Sequence, residues 1–263
     1  SAGNVNLGAA GSAPGLSEPP DGSIVPPDAS AAPSPAVAAL RAALAERYSF
    51  DGTGQDVIDS LGGAKGWIYN ASLDGEGFVR LNGNDAYVSL PNQLLSSGSD
   101  RTIEVWLIWR GGAPWQRIFD FGTSDAGELK QGMGTSYLFL TPRADSGMLR
   151  VAYSLHGTIA EVRVDGAREL PTDTLVQVAV AVDSAKNAMS LYLDGGLQKS
   201  VALDQRLTSI LDDNAWIGRS QFAADPGLLA DILDVRIYNR ALDANQIALS
   251  FTLGSDSSLD AQE

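Results

Sequence analysis

Acidic side chains near the two ends of the chain are the residues whose types and spacing could do chemistry. Asp51, Asp56 and Asp59 lie in one Gly- and Asp-rich stretch, and Asp234 interrupts an apolar strand pattern far along the sequence. A carboxylate inside a packed strand is costly unless it is paired or holds a cation. The hypothesis is that carboxylates from the two ends of the chain share a metal ion. The alternative is that Asp51 caps a turn and Asp234 pairs with an arginine such as Arg236 or Arg80.

The elements that would bring these carboxylates together are the first and last strands of the folded body. Residues 228–240 alternate apolar and polar side chains, the pattern of a half-buried strand. We expect this strand to lie beside a first strand at residues 48–51. A helix is predicted directly afterwards, with Asp243 as its N-cap and Gln246 completing a capping box.

A second group of residues could form a binding surface. Sugar-binding sites combine an aromatic platform with a few fixed polar groups. Trp115 follows the Gly- and Pro-containing loop 111–114 and is predicted near the surface, so the candidates for ligand contact are Trp115, Arg117, Tyr153 and Arg219. For Arg117 the favoured interpretation is a buried structural pair with Asp120. Three other tryptophans, Trp106, Trp109 and Trp216, are predicted to be core residues.

Composition and charge exclude several classes of function. The 263 residues carry a formal net charge of −14, which argues against nucleic acid and anionic membranes as partners. The absence of cysteine excludes disulfides and thiolate metal sites, and the single histidine, His156, excludes a two-histidine zinc site within one chain. No apolar run reaches the ~20 residues of a membrane span.

The chain divides into three parts by composition. Residues 1–35 are rich in Pro, Ala and Gly without any aromatic residue, and are predicted to be a disordered linker. Residues 36–253 are predicted to be one domain, which begins with a helix over 36–47, and residues 254–263 an acidic tail. Such a tether favours an exported protein, extracellular or in the cell envelope, and we expect a monomer.

Short strand patterns fill the predicted domain. Residues 102–110 are apolar on both faces and predict a central strand, and residues 175–183 alternate valines with smaller side chains. Residues 77–82 and 86–90 flank Gly83-Asn84-Asp85 and predict a hairpin. Many strands at a spacing of roughly 8–12 residues, with helices only at the ends, favour a β-sandwich.

These segments together resemble the laminin-G-like, concanavalin A-like jelly-roll family of bacterial extracellular proteins. The resemblance covers residues 48–251 and rests on their order and spacing: residues 48–52, 57–60, 81–83, 87–88, 102–106, 117–122, 191–195, 217–220 and 234–242. It implies an all-β fold, a two-sheet antiparallel jelly-roll sandwich with short helices near the N- and C-terminal ends. Two departures are Leu175-Val176-Gln177 in place of Trp-x-His, and Leu233 in place of the first carboxylate of the last strand.

The resemblance also implies a site and a function. It implies one structural Ca²⁺ held by Asp51, Asp56, Asp59 and Asp234, and a non-catalytic extracellular module that recognises carbohydrate or a cell-surface protein. Some relatives are glycoside hydrolases with the triplet Glu-x-Asp-x-x-Glu. This chain lacks the triplet, since two residues after Glu104 it has Trp106 in place of Asp. A glycosidase with unplaced carboxylates and a purely structural spacer domain stay open as alternatives.

Overall fold

A computed structural model describes residues 33–255 and residue 259. The chain divides into two units after Pro33, and every element described below belongs to the second unit. The predicted linker and most of the predicted acidic tail lie outside the described residues, so both remain predictions.

The described residues form mainly short strands, with a helix at each end. The helices are α1 (Pro35–Ala43), α2 (Ala244–Leu253) and a 3₁₀ turn at Leu207–Ser209. The strands are β1 (Leu44–Ser49), β2 (Thr53–Gly54), β3 (Asp56–Val57), β4 (Gly66–Tyr69), β5 (Leu73–Asp74), β6 (Val79–Asn82), β7 (Tyr87–Leu90), β8 (Arg101–Trp109), β9 (Phe119–Ser124), β10 (Gly134–Thr141), β11 (Arg150–Ser154), β12 (Val162–Asp165), β13 (Leu175–Asp183), β14 (Ala188–Leu193), β15 (Gly196–Ala202), β16 (Asn214–Ile217) and β17 (Leu229–Tyr238).

Two antiparallel sheets pack face to face and form the predicted sandwich. The seven-stranded sheet has the order β1-β17-β8-β13-β14-β15, with β6 also pairing to β17. The eight-stranded sheet has the order β12-β11-β10-β9-β16-β7-β4-β3, and β2 and β5 form a small separate pair. The all-β jelly-roll fold predicted from the sequence is confirmed.

The core lies between the two sheets because alternate residues of each strand point inward. On β13 the inward residues are Val176, Val178, Val180 and Val182, and they join one large buried apolar cluster. On β10 of the opposite sheet, Leu138 and Leu140 belong to that cluster while Tyr137 and Phe139 do not. Strand alternation therefore decides which side chains reach the outer faces.

The two chain ends meet as the sequence predicts. β1 pairs antiparallel with β17, so that Tyr48 faces Val235 and Ser49 faces Asp234. β8 lies between β17 and β13 and is a central strand. At α2 the Asp243 carboxylate accepts hydrogen bonds from the backbone N–H groups of Asn245 and Gln246, and the Gln246 side chain completes the capping box.

Two sequence predictions about local structure are wrong. The first helix ends at Ala43, because the predicted last turn, from Leu44, is the start of β1. The segments 77–82 and 86–90 do not form a hairpin, because β6 pairs with β17 while β7 pairs with β16 and β4. The Asn82 side chain accepts hydrogen bonds from the next backbone N–H groups, those of Asn84, Asp85 and Ala86, and so turns the chain from one sheet to the other.

The outer faces of the two sheets differ in what covers them. We call the outer face of the seven-stranded sheet, around Glu104, Asp234 and Tyr238, the closed face. Residues of α1 and α2 pack on it in a second apolar cluster, which includes Leu40 and Ile247. The outer face of the eight-stranded sheet is here called the open face, and neither helix contributes to the apolar cluster there. No helix among the described residues is long and apolar enough to cross a membrane.

Candidate functional site

A groove of about 630 Å³ lies on the open face. Aromatic and charged side chains line it together. They come from β10, β11, β12 and the loops beside them, and are Trp115, Arg117, Tyr137, Phe139, Asp145, Arg150, Thr158, Ala160, Glu161, Arg163, Phe222 and Asp225. This groove is the main candidate for a binding site.

Register places one row of these side chains across four neighbouring strands. Phe139 of β10 faces Ala152 of β11 on one side and Asp120 of β9 on the other. Ala152 in turn faces Arg163 of β12. Because directly paired residues share a face of a sheet, an outward aromatic ring lies between a buried carboxylate and an exposed guanidinium. Ala152 is fully buried in this row, and the rings and charged groups around it line the groove.

Trp115 is held at the groove edge by a strained backbone. Its φ is 73°, in the left-handed region that bulky residues rarely adopt. Its backbone N–H donates to the Arg143 carbonyl at 2.9 Å, and its own carbonyl accepts from Arg117 at 2.6 Å. The half-buried indole meets Phe139 edge-on, with ring centroids 6.5 Å apart. The fold therefore fixes the position of this ring before any ligand arrives.

Arg117 forms the floor between the aromatic rings. Its side chain is 2% exposed and pairs with Asp120 at 3.4 Å and with Asp225 at 2.7 Å. Its guanidinium carbon lies 3.9 Å from the centroid of Phe139. Burial raises the pKa of Asp120 to about 7, against the opposing effect of the Arg117 charge. The buried pair of Arg117 and Asp120 predicted from the sequence is present, and Arg117 also lines the groove.

Arg150 and Arg163 supply two further guanidinium groups with different surroundings. Arg150 donates two hydrogen bonds to Asp165, at 2.6 and 2.9 Å, and these hold the pKa of that carboxyl below its usual value. Its guanidinium carbon lies 5.7 Å from the Trp115 ring. Arg163 is exposed and forms no ion pair with any described residue. Arg150 is thus fixed, whereas Arg163 is available to a ligand.

Two of the three acidic side chains that line the groove, those of Glu161 and Asp225, already have close donors. Glu161 accepts a hydrogen bond from the Tyr137 hydroxyl at 2.8 Å, and burial together with this carboxylate raises the pKa of Tyr137. Asp145 lies 3.8 Å from Arg150, and Asp225 accepts from Arg117. By sequence, Glu161 and Asp165 could in principle form a catalytic pair, but a turn flanked by glycine is the favoured interpretation of this stretch. In the structure each carboxylate is bound to a different partner, so neither is a free acid or base.

A smaller cleft of about 290 Å³ lies on the other side of the loop 218–227. We call it the tyrosine cleft, because the stacked rings of Tyr69 and Tyr87 form one wall. Arg219 lies in it with its guanidinium carbon 4.4 Å from the Tyr87 ring centroid. Asp225 lines both this cleft and the groove.

The structure separates the four residues predicted to contact a ligand. Trp115 and Arg117 line the groove, and Arg219 lines the tyrosine cleft. The prediction that Tyr153 contacts a ligand is wrong. Its side chain is fully buried in the sandwich core, and its hydroxyl donates to the Arg206 carbonyl at 2.8 Å. The predicted core positions of Trp106, Trp109 and Trp216 are confirmed.

Sequence reasoning missed most of the groove, since Trp115 and Arg117 are the two predicted ligand contacts among its lining residues. Phe139, Arg150, Arg163 and Phe222 line it without having been selected as candidates. For Phe139 the signal is alternation, since Leu138 and Leu140 point into the core on either side of it. For Phe222 no comparable signal exists, because it lies on an irregular loop after β16.

The predicted metal site is not formed around Asp234. This carboxylate is buried on the closed face, where Arg47 donates to it at 3.2 and 3.3 Å and Arg236 pairs with it at 2.8 Å. Burial raises the pKa of Asp234 to about 6, although both guanidinium groups oppose this shift. The costly carboxylate of the last strand is therefore compensated by arginines, the alternative that the sequence left open.

The other three predicted ligands are dispersed. Asp59 accepts hydrogen bonds from the backbone N–H groups of Arg47, Leu61 and Gly63, at 2.8 to 3.1 Å. Asp56 pairs with Lys65, and Asp51 is exposed. Within residues 33–255, no three His, Cys, Asp or Glu side chains are grouped so that they could hold one metal ion. The four-carboxylate site is wrong, because the described residues contain no such group and Asp56, Asp59 and Asp234 each have other donors. Calcium binding as such stays a prediction.

Comparison with known proteins places this fold in a family. A family model described as the concanavalin A-like lectin/glucanases superfamily matches residues 82–248, more than half of the chain. The chain belongs to this superfamily, as the resemblance at the sequence level implies. No curated protein sequence matches.

Solved structures of the same fold include sugar-binding domains. Domain 4 of AbnA, an extracellular arabinanase from Geobacillus stearothermophilus in complex with arabinotriose, is similar with a TM-score of 0.62 and 21% identity, over 78% of this chain and 96% of that one. The CBM40 of the Ruminococcus gnavus IT-sialidase, bound to α2,3-sialyllactose, has a TM-score of 0.53 and 13% identity, over 65% and 95%. Trypanosoma rangeli sialidase gives a TM-score of 0.61 and 17% identity, over 80% of this chain but 33% of the sialidase. At such identities the likeness concerns the fold.

Proposed function

We propose that this domain is a non-catalytic carbohydrate-recognition module that acts outside the cell and binds a glycan in the groove of the open face. The observation that carries the proposal is the groove itself. It combines the fixed indole of Trp115 and the ring of Phe139 with the guanidinium groups of Arg117 and Arg150, which lie over these rings. Aromatic surfaces with a few well-placed polar groups are the usual composition of small-ligand sites.

The polar groups of the groove are oriented in advance. Arg117 is held by Asp120 and Asp225, and Arg150 is held by the two hydrogen bonds that it donates to Asp165. Side chains fixed in this way lose little conformational freedom when a ligand binds. Because most of their charge is locally compensated, we expect a ligand rich in hydroxyl groups in this groove.

The comparisons support the proposal by analogy of fold. The arabinanase domain and the CBM40 are structures with bound sugars, and each is spanned almost completely by this chain. The arabinanase is described as extracellular. A protein is the second candidate type of partner, since the binding domain of botulinum neurotoxin DC, of similar fold, is described in complex with rat synaptotagmin II.

A glycosidase in this groove would need two free carboxylates on either side of the scissile bond, about 5–9.5 Å apart depending on mechanism. Glu161, Asp145 and Asp225 each lie beside a donor or a guanidinium group in the described structure. This arrangement favours binding over hydrolysis.

The test is a glycan array followed by calorimetric titration of the best ligand. We expect the Trp115→Ala variant to bind on the order of tenfold more weakly or worse, because a ring that stacks on the sugar is removed. Trp67→Ala is the matched control, since Trp67 is a 42% exposed tryptophan outside the groove, and it should bind as the unaltered protein does.

The same samples distinguish the alternatives. Release of reducing sugar from a bound polysaccharide would show that the domain is a glycosidase and would contradict the proposal of a non-catalytic module. No glycan bound by the array, or equal loss in the two tryptophan variants, would contradict the groove proposal and favour the spacer domain. Repeating the titration with EDTA tests the calcium prediction separately, because affinity or melting temperature would fall only if a bound cation is required.

A further inference from the structure

The tyrosine cleft has the features of a second binding site, separate from the groove. Tyr69 and Tyr87 stack with ring centroids 4.6 Å apart and planes inclined by only 6°. Together with the loop 218–227 they enclose about 290 Å³, close to the lower end of the ~300–1,000 Å³ typical of small-ligand pockets. The cleft is large enough for one sugar-sized ring.

The guanidinium of Arg219 is fixed in this cleft but has no ionic partner. Its central carbon lies 4.4 Å from the Tyr87 ring centroid and 4.5 Å from that of Trp216. Contacts of this kind hold an arginine by cation–π attraction. No carboxylate of the described residues forms an ion pair with Arg219, whereas Arg47, Arg117, Arg150 and Arg236 all have one.

The two acidic side chains that line the cleft have other donors. Asp85 accepts a hydrogen bond from the Asn82 side chain at 2.9 Å. Asp225 accepts from Arg117 and from the Ser220 hydroxyl, both at 2.7 Å. Neither carboxylate pairs with Arg219, so its N–H donors other than the one that meets the Tyr87 hydroxyl are left for a ligand.

Close backbone packing fixes the walls of the cleft. Gly227 lies so near the segment before β7 that an added Cβ would be 2.3 Å from the Asn84 carbonyl oxygen. Gly218 has a φ of 87°, and a Cβ there would be 2.4 Å from a methyl group of Leu81. Because a larger residue at either position would displace the loop 218–227, these two glycines allow the close packing that keeps the cleft preformed.

We propose that the tyrosine cleft binds an oxyanion group, a carboxylate or a sulfate, carried on a sugar-like ring. The guanidinium of Arg219 would take the oxyanion through two parallel N–H donors, the geometry in which arginine differs from lysine. The tyrosine wall and the polar groups of Asn70 and Asn84 would contact the rest of the ring. This inference does not depend on a glycan in the groove.

The experiment uses matched ligands on the whole chain. Methyl β-D-glucuronide and methyl β-D-glucoside differ only at C6, which is a carboxylate in the first and a hydroxymethyl group in the second. Glucose 6-sulfate carries the other oxyanion, and sodium sulfate is the free ion. Binding is followed by ¹H–¹⁵N NMR titration. We expect a dissociation constant for the glucuronide or the sulfated sugar on the order of tenfold lower than for the glucoside. The shifted signals should come from residues 69–70, 84–87 and 219.

Variants then assign the preference to a residue. Arg219→Gln should abolish the preference for the charged sugar, and Arg219→Lys should retain only part of it. Arg163→Gln, which removes the exposed guanidinium of the groove, is the matched control and should leave the preference intact. Trp115→Ala should also leave it intact, so failure in the groove and failure in the cleft give different patterns.

Three results would overturn the inference. They are equal affinity for the glucuronide and the glucoside, a preference that survives in Arg219→Gln, and binding of free sulfate as tight as that of the charged sugars. The last would mean that the guanidinium attracts any anion and that no ring is recognised.

Discussion

The two outer faces of the sandwich use the same chemistry for different purposes. On the closed face, Asp234 is paired with Arg47 and Arg236, and all three side chains are at most 2% exposed. On the open face, Asp120 is paired with Arg117 at a similar depth. The difference is that α1 and α2 cover the first pair, whereas aromatic rings and open space border the second.

The helices that cover the closed face determine which partners its arginines have. On the closed face, Arg236 and Arg47 donate to the carbonyl oxygens of Gly254 and Ser255 at 2.8 and 2.9 Å. These residues directly follow α2, so the ion pairs fasten the last helix to the sheet. On the open face no helix takes up the donors, and the arginines remain at the surface of a groove. A buried ion pair is therefore insufficient to identify a functional site. The site also needs a face of the sheet that no helix covers.

The largest expected effect is on the closed face. Asp234→Ala would leave two buried guanidinium groups without their carboxylate, and loss of one member of a buried pair typically costs about 3–5 kcal/mol. The free energy of unfolding from urea titration should fall by about this amount, with glycan affinity of the remaining folded protein unchanged.

The control for this variant is an exposed ion pair. Lys186 pairs with Asp183 at the surface, and Lys186→Ala should leave the melting temperature unchanged. A loss below about 1 kcal/mol in Asp234→Ala would show that the arginines are held by other contacts. If EDTA lowered the melting temperature as much as Asp234→Ala does, a cation would be needed after all.

A pH dependence should also come from the closed face. Burial raises the pKa of Glu104 to about 7, although hydrogen bonds from Ser250 and Tyr238 oppose the shift. Because the folded pKa is above the unfolded value, the folded state binds the extra proton between about pH 4.5 and pH 7. This contribution to stability is present at low pH and is lost as the pH rises through that window.

The size of this contribution is on the order of 2 kcal/mol between pH 5 and pH 8. Glu104→Gln imitates the protonated form, so the variant should show a flatter dependence of unfolding free energy on pH than the unaltered protein. Parallel curves for the two proteins would mean that Glu104 keeps an ordinary pKa.

The smallest effect is expected on the open face. Asp165→Asn should weaken the orientation of Arg150, because it replaces a carboxylate that accepts two hydrogen bonds with an amide. Asp165 is about a third exposed, so stability should change by only about 0–1 kcal/mol. Glycan affinity should fall several-fold in the calorimetric titration, and an unchanged affinity would show that Arg150 does not contact the ligand.

Sequence patterns were sufficient for the sandwich and for the strands of the closed face, but not for the partner of Asp234. Alternation on β13 and β17 places their inward residues, and the hypothesis that the last strand lies beside the first is confirmed by the pairing of β1 with β17. The sequence also offers the correct type of partner for Asp234, since an arginine is the alternative to a metal ion. The choice failed because nothing in the sequence shows that Arg47, 187 residues earlier, faces that carboxylate.

The open face was harder to predict because its parts come from separate loops and strands. Trp115 and Phe222 lie on loops whose course depends on tertiary packing, and no periodic pattern connects them to β10. Tyr153 was assigned to the wrong side of its strand. Its neighbours in the core, Val151 and Val164, could have indicated the inward face by alternation and by the pairing of β11 with β12.

The most direct test of this account is the behaviour of the five tryptophan indoles during a glycan titration. Each indole N–H gives its own NMR signal, and the five can be assigned by single substitution. The account predicts that the signal of Trp115, at the groove edge, moves with saturation, while those of Trp67 and of Trp106 on the closed face stay in place. Movement of Trp67 or Trp106 with an unchanged Trp115 would contradict it.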